Sequence, residues 1–199
     1  MKRRRFIVNP IAPVLPPGSA PGAVRMLTLG ERDWELRVPA GGWGGEWTWK
    51  RTSLLGRTWS LSSEQGTHLV LCEASMLGRI WRAEAASEGW TLKRSWVSRT
   101  TLTDDTGAVL LTYAPGAWGR GPIVPASGAE LKLRRHWIGG FSLENRDGHE
   151  LLKVVRAPGF FNREHRLTLS DTIRSREDLL PLLALTWLLV LSARHAHAH

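Results

Sequence analysis

The side chains best equipped for chemistry in this 199-residue chain are its histidines, its single cysteine and its lysines and arginines. His195, His197 and His199 alternate with alanine in a terminal HAHAH. In an extended segment that spacing turns three imidazoles to one side, and imidazole is a common metal ligand. No carboxylate or thiol stands nearby in sequence to complete a site, so a frayed histidine-containing end is the simpler expectation. His149-Glu150 and Glu164-His165 each put an acid beside a base, as general acid–base catalysis needs. Neighbours on a strand point to opposite faces, so neither pair works by itself. His68 and His136 stand alone in sequence.

The chain lacks a Walker-type loop, GxSxG, HExxH and a paired CxxC. GAWGRGP at 116–122 is glycine-rich, but strand-like stretches and prolines flank it, and it reads as loop geometry. Cys72, in HLVLCEA, reads as a small core residue. One cysteine permits no intramolecular disulfide, which fits a reducing compartment. Asn162, in FFNREH, lacks the Ser or Thr of a glycosylation site. These residues predict neither catalysis nor a cofactor nor a bound metal.

Charge suggests binding instead. Formal net charge is +9. Lys2, Arg3, Arg4, Arg5 and Arg25 give residues 1–30 five bases and no acid, and the rest of the chain carries 22 bases against 18 acids. The excess is concentrated in an arm rather than a groove, which argues against nucleic acid. Beyond the arm the densest basic cluster is Lys132, Arg134 and Arg135, with Lys93 and Arg94 on a second strand and Arg163 and Arg166 near a later one. Strand alternation puts Lys132 and Arg134 outward, where they can receive phosphate, as the exterior of a solvated barrel also requires. Lys2 to Arg5 are the corresponding candidates for an anionic lipid surface.

The elements that must carry these residues start from the last one. DLLPLLALTWLLVLSAR, at 178–194, leaves no polar face, and such a helix is buried on all sides by protein or lipid. Residues 179–193 reach about 22 Å at roughly 1.5 Å each, short of the about 30 Å of hydrocarbon a span must cross. Ser175 reads as the start of a capping box, with Glu177 and Asp178 at the positive end of the helix dipole and Arg194 at the negative one. Pro181 then lies slightly late for a first turn.

Upstream, MKRRRFIVNPIAPVLPPGSAPG opens with a basic run, as a signal peptide does. Pro10, Pro13, Pro16 and Pro17 interrupt its apolar stretch, so a disordered, polyproline-like arm over 1–24 is expected. From Val24 the chain is a succession of short aromatic and β-branched runs: 47–51, 57–63, 68–74, 79–85 and 89–98 among them. Asp104 to Gly107 and Asn145 to Gly148 carry the Asp/Asn-then-Gly chemistry of hairpin turns. About a dozen strands precede Ser170, with no repeat at fixed period. The eleven tryptophans are spread out as core and rim fillers. The fold class expected is mainly β: a closed antiparallel barrel of about twelve strands, too wide for its own wall to fill, around the hydrophobic C-terminal helix. The boundaries are 25–194 for the barrel, 176–194 for its helix and 195–199 for the tail.

GRTWSL, GWTLKRSW and LTDDTGAVLLTYAPG, closed by DLLPLLALTWLLVLSAR, resemble the Tubby C-terminal-like superfamily, which includes Tubby proteins, phospholipid scramblases and LURP-one-related proteins. The resemblance covers residues 25–194. It implies a barrel threaded by its C-terminal helix, with phosphoinositide binding through surface Lys and Arg in Tubby domains and membrane association in scramblase-like members. The expected function is a non-catalytic binding or scaffolding module, cytoplasmic and peripheral at the membrane face or within a membrane-associated assembly. Anionic lipid is its candidate ligand, and loop tryptophans such as Trp118 are candidate contacts. The alternative is a tail-anchored protein with 179–193 in lipid. A fatty-acyl carrier would find its lumen already occupied.

Overall fold

A computed structural model describes residues 20–195 except 30–31, 53–56, 76–77, 96–98, 117–120, 127, 137–139 and 158–163. Fourteen strands and two helices follow in order. The first two are β1 (Val24–Leu29) and β2 (Arg32–Arg37). The next six are β3 (Trp47–Arg51), β4 (Thr58–Ser63), β5 (Gly66–Glu73), β6 (Ile80–Ala85), β7 (Gly89–Arg94) and β8 (Thr100–Thr103). The last six are β9 (Val109–Tyr113), β10 (Gly121–Pro125), β11 (Leu131–Arg135), β12 (Phe141–Glu144), β13 (Glu150–Arg156) and β14 (His165–Leu169). The helices α1 (Asp171–Arg174) and α2 (Leu179–His195) end the described chain.

Strands β3 to β14 form a continuous antiparallel meander, each pairing with the next, that closes on itself through β14 and β3. β14 pairs with β3, at Arg166↔Thr48, and β5 pairs with β6, at Leu71↔Ala83. Twelve strands thus make a barrel without edges, the closure expected from the strand count. The turns that pin its register are those legible in the sequence. Asp104 Oδ1 accepts from the backbone of Thr106 and Ala108 at 2.9 Å each, and Gly107 follows at φ +88°. Asn145 Oδ1 accepts from Asp147 and His149 in the same way, and Gly148 follows at +83°. Both glycines occupy the left-handed region that a side chain disfavours.

The lumen is filled by α2. Every residue from Pro181 to Leu191 is buried, and its neighbours are the inward side chains of the wall, among them Trp49, Trp90, Leu102, Leu111, Leu143 and Leu167. Trp187 stacks on Trp49 with centroids 5.0 Å apart and planes 3° from parallel, and Trp59 meets it edge-on at 5.1 Å. A helix apolar on all sides is what a lumen walled on all sides requires. No described helix is long and apolar enough to cross a membrane.

Two expectations need correction at the helix entrance. Ser175 is not the cap of the long helix: a separate one-turn helix, α1, ends on it, and Asp171 begins that turn. α2 starts three residues later than the expected 176, because the Asp178 carboxylate is held at 2.7 Å by both Nε and Nη2 of Arg176 and the chain turns there. Pro181 consequently falls in the first turn of α2, where its missing N–H costs nothing.

The strands before Trp47 are not barrel wall. β1 and β2 form a hairpin outside it, joined to the start of β5 by a parallel contact at Leu36↔Thr67. Its inner face, Leu27, Leu29, Trp34 and Leu36, makes a second small core with Val70, Cys72 and Ala86 on the outside of the wall. Cys72 is buried there, in the second core, and burial pushes its thiol pKa up. Arg25, from β1, reaches the buried Glu84 carboxylate at 3.4 Å and the Ala85 carbonyl at 3.1 Å. Glu84 also accepts from Arg82 Nε at 2.5 Å. Burial raises the Glu84 pKa, and the two guanidinium groups oppose that rise.

Candidate functional site

Consecutive wall strands are antiparallel, so their connections fall alternately at the two mouths. The mouth where α2 enters takes the connections 38–46, 64–65, 86–88, 104–108, 126–130, 145–149 and 170–178. They carry ten acids, Glu46, Glu64, Glu88, Asp104, Asp105, Glu130, Asp147, Asp171, Glu177 and Asp178, against three bases, Arg146, Arg174 and Arg176. The opposite mouth, toward which α2 runs, has the reverse character. Arg51, Arg94, Arg135 and Arg156 end β3, β7, β11 and β13, and Arg57, Arg79 and Arg99 stand just before β4, β6 and β8. Among the described residues at those strand ends and connections the acids are Glu73, which pairs with Arg57 at 2.9 Å, and Glu164, which pairs with Lys50 at 2.9 Å. The barrel is therefore polar along its axis, acidic at one mouth and basic at the other.

The sequence of the basic-mouth connections recurs. LLGR at 54–57, MLGR at 76–79, WVSR at 96–99, AWGR at 117–120 and FFNR at 160–163 each place two apolar residues, a small or amide residue and an arginine in a row, and WIGG at 137–140 keeps the first three positions. Their spacings vary from 20 to 23 residues, so the recurrence has no fixed period. Each unit is one hairpin of the meander. Of these residues Gly78, Gly140 and the arginines Arg57, Arg79 and Arg99 are described; Arg57 and Arg99 are exposed and Arg79 is half-buried. The apolar pairs, Trp118 among them, lie outside the described residues.

The basic cluster expected from sequence separates across the wall. Lys132 and Arg134 do point outward on β11, but both lie against Glu144 on β12, which faces Lys132 in register and meets Arg134 at 3.4 Å. Lys93 and Arg94 are on β7, four strands away, or about 19 Å at roughly 4.8 Å per strand. They also diverge: Lys93 is exposed, and Arg94 takes the inward register with Trp90 and Leu92. Arg94 lies close enough to Tyr113 to oppose the upward push of burial on that phenol. Arg94 and Arg135 thus belong to the basic mouth, and Lys132 does not. Arg166 is exposed and meets Glu46 at 3.9 Å, and Arg163 lies outside the described residues. So do Lys2, Arg3, Arg4, Arg5, Asn162, His197 and His199, as well as the side chain of His195.

Of the two adjacent acid–base pairs, Glu164-His165 separates as strand alternation demands, whereas His149, in the turn before β13, and Glu150 are both exposed. Glu164 turns out to Lys50, whereas His165 is buried beside Trp59 and Trp187, with ring centroids 6.3 and 5.0 Å away. Glu150 approaches His136 Nε2 at 3.8 Å, and that nitrogen is 2.9 Å from Ser142 Oγ. His68 is also buried, between the Arg37 carbonyl at 2.7 Å from Nδ1 and Ser63 Oγ at 2.9 Å from Nε2; burial lowers its pKa. Among the described residues no three His, Cys, Asp or Glu side chains converge as a metal would need.

Fold and site together define a closed twelve-stranded barrel filled by its own C-terminal helix, with a basic mouth. No family model matches the chain, and neither curated proteins nor solved structures contain a match to it.

Proposed function

We propose that the protein is a non-catalytic binding module that docks, basic mouth first, on an anionic membrane surface as a peripheral protein of the cytoplasmic face. The observation that carries this reading is the axial separation of charge. Juxtamembrane bases contribute about 1 kcal/mol each near an anionic leaflet, and the effect fades within a Debye length. Seven arginines at one mouth therefore favour the surface, and ten acids at the other oppose the inverted orientation. The recurring pairs before the arginines, Leu-Leu, Met-Leu, Trp-Val, Ala-Trp and Phe-Phe, have the composition of interfacial segments that combine aromatic or aliphatic side chains with cations. Kinship with the Tubby C-terminal-like superfamily is likewise a proposal, supported by barrel and helix architecture alone.

The test is sedimentation of the full chain with vesicles of neutral lipid or of neutral lipid mixed with phosphatidylserine, over a salt series. Arg99 and Arg156 are exposed at the basic mouth. Replacing both with Gln removes two charges, or about 2 kcal/mol, and weakens binding to anionic vesicles about 30-fold. Arg146→Gln with Arg174→Gln, at the acidic mouth, leaves binding unchanged. Equal binding to neutral vesicles, or equal losses from both double variants, contradicts the proposal.

A further inference from the structure

Closure removes the edges of the barrel itself, and the outer hairpin restores one. Among the described residues β1 pairs with β2 alone. Which backbone groups face its open side follows from the register. Val38 N–H donates to the Ala23 carbonyl at 2.8 Å, and Leu29↔Arg32 closes the hairpin over two residues, so the hydrogen-bonded positions on β1 are Arg25, Leu27 and Leu29. The N–H and C=O groups of Val24, Met26 and Thr28 therefore point away from β2. The side chains of the same three residues are exposed, Met26 at 56 %.

Natural edges are guarded by lysine, proline, a bulge or an inward-turned charge. β1 has no lysine and no proline, and its register with β2 is unbroken. Its one charge, Arg25, is drawn away under the hairpin to Glu84. The strand is also self-complementary. Antiparallel pairing about a two-fold axis at Met26 sets Met26 against its own copy and Val24 against Thr28, each pair exchanging both backbone bonds. On the other face Arg25 meets Leu27, so no two like charges are opposed. We propose that β1 is a dimer interface, at which a second copy of this chain adds its own β1 to join the two hairpins in one four-stranded sheet. The symmetry is isologous, as closed dimers require.

Sedimentation equilibrium of the full chain reads this directly, with an expected mass of twice 22.2 kDa. Met26→Lys guards the edge without touching the bonds to β2; dimer is lost while the unfolding midpoint, compared at dilutions where both chains are monomeric, stays unchanged. Met26→Cys tests the register, because hydrogen-bonded partners have Cα atoms about 5.5 Å apart, within the range of a disulfide. Under mild oxidation Met26→Cys crosslinks to a dimer and Val24→Cys does not, and the buried Cys72 takes no part. A monomer at all concentrations overturns the proposal, as it would if residues of the same chain cover the edge. A dimer that survives Met26→Lys, or equal crosslinking of both cysteine variants, overturns it as well.

Discussion

Trp187→Ala is the substitution that most severely tests the filling of the lumen. Trp187 lies in the middle of α2, fully buried, stacked on Trp49 at 5.0 Å and met edge-on by Trp59 at 5.1 Å. Truncating a buried tryptophan costs about 3–5 kcal/mol in lost transfer energy and cavity. The site cannot collapse, because its walls are held by a closed ring of hydrogen-bonded strands. The cost therefore falls at the upper end, about 5 kcal/mol, against a typical domain stability of about 5–15 kcal/mol. Trp187→Phe keeps a ring between Trp49 and Trp59 and deletes an indole N–H that is buried without an acceptor among the described residues. Its cost is about 1–2 kcal/mol, since the lost ring volume is partly offset by removing that donor. Urea denaturation followed by fluorescence and by circular dichroism reads both, with the midpoint shift converted through a shared slope. A Trp187→Ala midpoint within about 1 kcal/mol of the parent, or a Phe variant as unstable as the Ala variant, would refute the packing argument.

The fold makes two further predictions. A Cβ at Gly121 would lie 2.0 Å from the Ala114 carbonyl oxygen, a backbone atom that cannot rotate away. Gly121→Ala should therefore lose about 1–3 kcal/mol or more by chemical denaturation, and wild-type stability would disprove the close approach of β9 and β10. His68 is held neutral by burial between Arg37 and Ser63, so its folded pKa lies below the unfolded value of about 6.5. The unfolded chain then binds the extra proton first. Stability is fully present above about pH 6.5 and falls with acidification toward the folded pKa, by at most about 1.4 kcal/mol per pH unit from this group. Urea midpoints at pH 7.5 and 5.5 should converge in His68→Gln, and an unchanged difference would exclude the histidine as its source.

Much of the architecture is legible in the residues because it follows from local rules. A helix apolar on every side and too short for lipid has to be enclosed, and the turns Asp104–Gly107 and Asn145–Gly148 fix where strands reverse. What stays hidden depends on facts that are not local. Val24–Leu29 and Arg32–Arg37 alternate like any wall strand, because a period of two is common to a barrel and to a hairpin lying outside it. Only the contact of Leu27 and Trp34 with Val70 and Cys72 reveals the difference. Lys132 and Lys93 look like parts of one basic cluster until strand order puts four steps between them. The recurring segments are plain in the sequence, but their described arginines, Arg57, Arg79 and Arg99, acquire meaning once strand direction assigns them to one mouth. Arg94 could be found from the inward register of Trp90 and Leu92 on its own strand. Ser175 misleads because a capping serine and the last residue of a one-turn helix look alike in sequence.

Hydrogen–deuterium exchange of the full chain with and without phosphatidylserine-containing vesicles tests the central claim most directly. Docking through the basic mouth predicts slowed exchange where β3, β7, β11 and β13 end, around Arg51, Arg94, Arg135 and Arg156, with Asp104–Ala108 and Asn145–His149 unaffected. Slowed exchange at those acidic-mouth turns, with the arginine-bearing strand ends unchanged, would contradict it.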